Sequence, residues 1–489
     1  MSAERALAVA VLWLAGCGAV ATLTRPEGDG GWSATRRHDE LATIATRAGV
    51  DLDGAGPAAS AAPKRPAGTL DLPAALALAA TRNRRIAVAE RQVDVARERV
   101  WDARGRLLPS TVGSGRYTWY SDPQTTSVSF PSKLLPPGVA PPVVTIRERE
   151  FGVANATATV PIDLSGEIVH ALSSAQAGYR GERARLWATT LEQETLVIRT
   201  YFDLLAAERL AEVTEQTIVT DRAQLGTAQQ RFDNGRLTKN ELLVVRVALT
   251  DAEQERVRRR LAIDDARWTL NETIGVDVDA PTAVADVRGR PDLPPVADAL
   301  RMAYASNPAL VALVEEQQRL EESARSLARS RFPRVSGGGA VDYSSAAIVQ
   351  PQRVESGFLG LTWDLGTDTR REAQIASARI EAERNGVEIE RELRELESSI
   401  RRACRSVEER LDAMSAAEAA VGQAEENLRI RQQQFDAGRA QSEDVLDAEA
   451  LLSRQRATLA TALYDAHTRR AELQQLMGLP LEALAEESR

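Results

Sequence analysis

Between Ala154 and Ile162 the chain alternates residue by residue. Ala154, Ala156, Ala158, Val160 and Ile162 fall on one side, with Asn155, Thr157, Thr159 and then Asp163 on the other. Period two predicts a strand with one apolar face. Leu359, Leu361, Trp363 and Leu365 repeat the pattern two hundred residues later. Elsewhere the period lengthens. Residues 85–108 place Ala or Val at i, i+3 and i+4, which predicts a helix that ends at Pro109. Residues 166–233 and 368–435 hold no Pro and only isolated Gly, so each reads as one unbroken helix of roughly 100 Å at 1.5 Å per residue. Returning helices follow at 239–273 and 442–476. In the last, Val445, Ala448, Leu452, Leu459, Ala462, Ala466, Leu473 and Leu476 keep a 3-4 spacing, the seam of a coiled coil. Helices this long find partners of equal length only in one another.

These elements come in two copies. Ala74–Gly115 aligns with Val296–Gly339, bringing Asn83 onto Asn307 and Pro109 onto Pro333. "VPIDLSG" (160–166) aligns with "LTWDLGT" (361–367), and the halves close on "LNETIG" and "LQQLMG". The expected repeats span 70–280 and 292–480, followed by a tail at 481–489. Each has one strand hairpin (about 109–122 with 150–164, and 333–346 with 355–365) and one helical hairpin (about 166–273 and 368–476). That makes four strands per chain.

A phrase marks each reversal of the long helices: "RFDNGRLTKNEL" and "QFDAGRAQSEDVL". Gly235 and Gly438 supply the left-handed residue that ends a helix. Thr238 and Ser442 are the expected caps of the helices that follow, and Thr238-Lys239-Asn240-Glu241 fits a capping box. Asp444 and Asp447, three apart, share a helix face.

Composition narrows the function. The chain is 27% charged and 4% aromatic with a formal net charge of -9, which argues against nucleic acid as the main partner. Three His and two Cys stand apart, without metal-ligand spacing, and Cys404 reads as packing within a helix. No nucleophile elbow or phosphate loop occurs, and Asp264-Asp265 reads as a solvated pair, so neither enzyme activity nor a cofactor is expected. Residues 1–16 read as a signal peptide whose apolar run is too short to span a bilayer. "Leu14-Ala15-Gly16-Cys17" resembles a lipoprotein cleavage box, which makes Cys17 the expected lipidated residue at the head of a leader, 17–69. No other stretch is long and apolar enough for a transmembrane helix, so any crossing must use strands. Four strands cannot close a barrel, and open edges are not tolerated in lipid. A membrane-spanning form must therefore oligomerise.

The duplicated Asn-led helix starts, the "LLPS"/"RFPR" entries into strands, the "PIDLSG"/"WDLGT" exits and the two tip phrases resemble the TolC-like outer membrane efflux proteins. The resemblance covers about 70–480, and the cleavage box resembles that of the lipoprotein branch. It implies an α+β membrane protein in which three chains each give four strands to one 12-stranded barrel. Their coiled-coil hairpins then form a periplasmic tunnel with a gated tip. It also implies a passive exit channel working with a periplasmic adaptor and an inner-membrane pump. By the same resemblance, Asp444 and Asp447 would ring the periplasmic aperture, and Glu241 and Arg246 would pair across hairpins to hold the tip closed. Gly235, Arg236, Leu237, Gly438 and Arg439 would dock the adaptor. Arg439, directly after Gly438 and before Ala440, matches the family's usual gate-latching Arg only loosely. Tyr117, Trp119, Tyr120 and Trp363 are expected at membrane interfaces, with core or lumen packing as the alternative. The competing expectation is a lipid-anchored coiled-coil interaction protein with no pore.

Overall fold

A computed structural model describes residues 69–127, 143–287, 289–346, 348–364 and 369–481. Cys17, the signal peptide, all but the last residue of the leader, Leu365 and all but the first residue of the tail lie outside them.

The first half runs α1 (Leu72–Arg82), α2 (Arg84–Gly105), β1 (Ser110–Trp119), β2 (Gln124–Ser127), β3 (Val143–Arg147), β4 (Glu150–Ile162), α3 (Glu167–Asp233) and α4 (Lys239–Ile274). The second runs α5 (Val296–Ser306), α6 (Pro308–Arg329), β5 (Arg334–Ser344), β6 (Arg353–Thr362), α7 (Thr369–Asp436) and α8 (Ser442–Met477). The long helices α3 and α7 have 67 and 68 residues. Two features were absent from the sequence reading: the short β2–β3 ladder, and the separate helix, α1 or α5, that precedes the Asn-led start in each half.

The break between that helix and the next has one cause in both halves. Asn83 and Asn307 each end one helix and cap the next. The Asn83 side-chain oxygen accepts from the Arg85 amide at 2.8 Å, and that of Asn307 from Leu310 at 3.0 Å. Each side-chain amide then donates to the last turn of the returning helix, Asn83 to the Thr273 carbonyl at 3.1 Å and Asn307 to the Leu476 carbonyl at 2.9 Å. Each of the aligned asparagines stitches together the ends of three helices.

The cores lie at these stitches. In the first half Leu72, Leu76, Leu191, Ile198, Leu204, Leu270 and Ile274 pack together. The Tyr201 hydroxyl sits between the carbonyls of Leu70 and Ala285, at 3.1 and 2.7 Å. In the second half Ala299, Ala303, Leu396, Ile400, Val407, Leu473 and Met477 form the equivalent cluster, with Cys404 buried among them. Of the expected α8 seam, Val445, Ala448, Leu452, Ala462, Ala466 and Leu473 are buried. Leu459 and Leu476 are only partly so, and Tyr464, Ala471 and Met477 share the buried face.

The four main strands form one antiparallel sheet in the order β1-β4-β5-β6. β1 and β6 are its edges, with no strand beyond either among the described residues, so the sheet is open within one chain.

Candidate functional site

Two features of a single chain are left open to their surroundings: the apolar face of the sheet and the turns of the hairpin tips.

The sheet is inside out. On β4 the apolar residues of the alternation (Ala154, Ala156, Ala158, Val160 and Ile162) are the exposed ones, while Asn155, Thr157 and Thr159 are half-buried. Register carries this face across the strands: Ala154 opposes Tyr343, Ala156 opposes Val341, Ile162 opposes Val335, and Val335 opposes Leu361. Leu359 and Leu361 are 76% and 66% exposed. In water such a face would be a liability, whereas in a bilayer it is the required surface. The opposite face is polar and internally bonded. The Asn155 amide donates to the Asp342 carboxylate at 2.6 Å, and the Thr157 hydroxyl to the Asn155 side-chain oxygen at 2.9 Å. Phe358 also belongs to that polar side: its ring covers Gly338, where any Cβ would overlap the Ala158 carbonyl oxygen and the ring itself.

Aromatics with a polar end flank the apolar band. Tyr117 is exposed and donates its hydroxyl to Glu150 at 2.8 Å. Trp119 is exposed beside Arg149, whose guanidinium lies 5.8 Å from the ring centre. Trp363, toward the helices, donates its indole N–H to the Arg331 carbonyl at 3.0 Å. Tyr120 instead turns inward and stacks on Phe151. Among the described residues no helix is long and apolar enough to cross a membrane.

The two tips share one backbone geometry. Gly235 and Gly438 sit at φ +70° and +71°. The Gly235 amide donates to the Phe232 carbonyl and the Arg236 amide to the Arg231 carbonyl. The Gly438 amide donates to Phe435 and the Arg439 amide to Gln434, all at 2.8–3.0 Å. This is a Schellman turn written twice, because the same Phe-Asp-x-Gly-Arg phrase satisfies the same orphan carbonyls. Gly235, Arg236, Gly438 and Arg439 are exposed. Leu237 is partly buried against Ala228, Leu242 and Val245 and so also serves the tip's own packing.

Caps and carboxylates differ between the tips. Thr238 caps α4 as the sequence suggests: its hydroxyl accepts from the Glu241 amide at 3.3 Å, and the Glu241 carboxylate accepts from the Thr238 amide at 2.9 Å. Glu241 is thus turned onto its own helix, while Arg246 is exposed on α4; within one chain the two are not brought into an ion pair among the described contacts. At the second tip Ser442 is not the cap. It is buried as the first helical residue, and Gln441 takes the cap position, its amide donating to the Asp444 carboxylate at 2.9 Å. The helix starts one residue earlier than a Ser cap would place it, because Asp444 reaches back three residues to Gln441. Asp444 also lies 3.8 Å from Arg431 of α7, whereas Asp447 is exposed one turn further on.

A residue overlooked in the sequence joins the tips. Arg231, on α3, stacks its guanidinium 4.0 Å above the Phe435 ring. It donates to the Phe435 carbonyl at 3.1 Å and pairs with Asp436 at 3.2 Å. The available signal was an asymmetry in the repeat: Arg231 precedes the first Phe where Gln434 precedes the second.

Against this geometry, a model of the outer membrane efflux protein family matches residues 75–276 and 299–479. The chain belongs to the outer membrane efflux protein family. Several solved structures share its fold. VceC, an outer membrane protein of Vibrio cholerae, superposes with a TM-score of 0.70 at 16% identity over 83% of this chain and 96% of its own. The CmeC outer membrane channel of Campylobacter jejuni gives 0.70 at 14% identity over 86% and 89%. The open state of the MtrE outer membrane channel of Neisseria gonorrhoeae gives 0.66 at 16% identity over 84% and 89%. No curated protein sequence matches the chain. In this family the long helices and four strands per protomer are the channel fold, and the open sheet closes into a barrel only between protomers.

Proposed function

We propose that three copies of this efflux protein close their sheets into one 12-stranded barrel in the outer membrane, with α3, α4, α7 and α8 lining a periplasmic exit duct. The observation that carries this reading is the sheet, whose apolar face is exposed and whose edge strands lack partners. Lipid covers the face and neighbouring copies take the edges. The duct is passive, and a periplasmic adaptor and an inner-membrane pump supply substrate and energy. Gly235, Arg236, Leu237, Gly438 and Arg439 form the adaptor-facing tips. Asp444 and Asp447, three apart on the first turns of α8, face the aperture in each copy and make it cation-preferring. Glu241 and Arg246 contribute to holding the aperture shut. Cys17, after removal of residues 1–16, carries a lipid that anchors the leader.

Planar-bilayer conductance of the purified trimer tests this. The expected result is discrete, small, cation-preferring openings in wild type, with selectivity weakened in Asp444→Asn/Asp447→Asn. Unchanged selectivity would move the constriction elsewhere. Protein that neither inserts nor forms heat-dissociable trimers would overturn the channel reading in favour of a non-pore coiled-coil protein. A mature protein whose mass shows an unmodified Cys17 would remove the lipid anchor.

A further inference from the structure

Behind the tips, two acids are buried between the hairpins. Asp221 of α3 and Glu449 of α8 are 4% and 7% exposed. At 1.5 Å per residue they lie roughly 10–20 Å from the turns that end at Gly235 and begin α8. Buried carboxylates are ordinarily paired with a cation. Here the nearby cations point elsewhere. Arg222 turns to Glu253 of α4 at 2.7 Å. Arg456, two turns along α8, bridges Gln216 of α3 at 3.1 Å and Glu425 of α7 at 2.8 Å. Asp221 lies one turn before Gln224 on the same face of α3, and Gln224 bonds Glu449, so the two carboxylates share one buried site.

The remaining contacts are neutral. The Gln224 amide donates to Glu449 Oε1 at 2.5 Å, while Oε2 meets no donor. A cavity of about 50 Å³ opens beside Glu449, and at its wall the Thr217 and Ser453 hydroxyls bond across α3 and α8 at 2.7 Å. Two carboxylates in one buried site do not both ionise readily, so the site holds a proton.

We propose that this pair is a proton lock: one proton held between Asp221 and Glu449 fastens the first hairpin to the second behind the tips, and its loss loosens that seam. Burial first, then the charge of Asp221, pushes Glu449 up from 4.5 to about 8. Burial also raises Asp221, offset in part by its hydrogen bond with Glu449. A folded-state pKa raised in this way stabilises fully below about pH 4.5. The stabilisation fades above that and is gone once the pH passes about 8. The lock concerns two helices of one chain and does not depend on whether the tip is a gate.

Hydrogen exchange of the full-length protein between pH 6 and pH 9, corrected for intrinsic rates, tests the lock. In wild type, segments 213–228 and 445–456 should lose protection on the order of tenfold across this range, while segment 396–407 of α7 holds steady. Glu449→Gln keeps the shape without the titration and should stay protected throughout. Asp221→Asn removes the like charge and should move the loss toward lower pH by about one unit. A flat wild-type profile, a Glu449→Gln variant that loosens as wild type does, or an Asp221→Asn midpoint that does not move would each overturn the proposal. If Glu449→Gln fails to fold, the wild-type profile and the Asp221→Asn midpoint decide it.

Discussion

Gly438 and Gly478 bracket the same helix, α8, and both are left-handed, at φ +71° and +73°. Their surroundings are opposite. Around Gly438 there is open space, and the same holds at Gly235. At Gly478 an added Cβ would overlap the Ser306 carbonyl oxygen, and at Gly275 it would lie 2.9 Å from the Arg82 carbonyl oxygen. One motif therefore does two jobs. At the base it brings helix ends into contact and fixes them with the Asn83 and Asn307 stitches. At the tip it only reverses the chain and leaves the surface free.

Substitutions break the comparison at known strengths. Gly478→Ala should be the most damaging, since it adds left-handed strain of about 1–2 kcal/mol to overpacking of about 1–3 kcal/mol. A large drop in the denaturation midpoint would show it. Gly438→Ala carries only the first penalty, so its midpoint should fall less; equal losses at the two glycines would contradict a crowded base and an open tip. Asn307→Ala lies between base and motif. Removing the cap and leaving the Leu476 carbonyl unpaired should cost about 1–3 kcal/mol. The Asn83 site should be unaffected, as read by local hydrogen exchange at 270–275. Arg231→Ala should be the mildest, under about 1 kcal/mol. Its effect should be confined to faster exchange in 428–440 with the overall midpoint unchanged.

Much of the scaffold was legible because its signals are local. The two long helices follow from Pro-free runs, the strands from strict alternation, and the tip turns from a glycine placed after a helix and before a capping box. The candidate site was less legible. Ser442 looks like a cap by type, but Asp444 selects Gln441 by reaching back to its amide. Arg231 and Asp436 lie 205 residues apart, and Asp221 and Glu449 join through helices that meet only once both hairpins are folded. No spacing rule within a window of a few turns reports such partners.

The sequence by itself determined the elements, their duplication and the positions of the reversals, since these depend on backbone propensity and periodicity over short stretches. It also determined that the strands have two unlike faces. Tertiary structure alone decided which of those faces is outermost. Alternation has no sign: the same Ala-Asn-Ala-Thr pattern serves a soluble sandwich with its apolar side in or a membrane sheet with that side out. Only the packing of helices at the base, the polar Asn155–Asp342 side and the uncovered apolar side, read together, assign the outward direction.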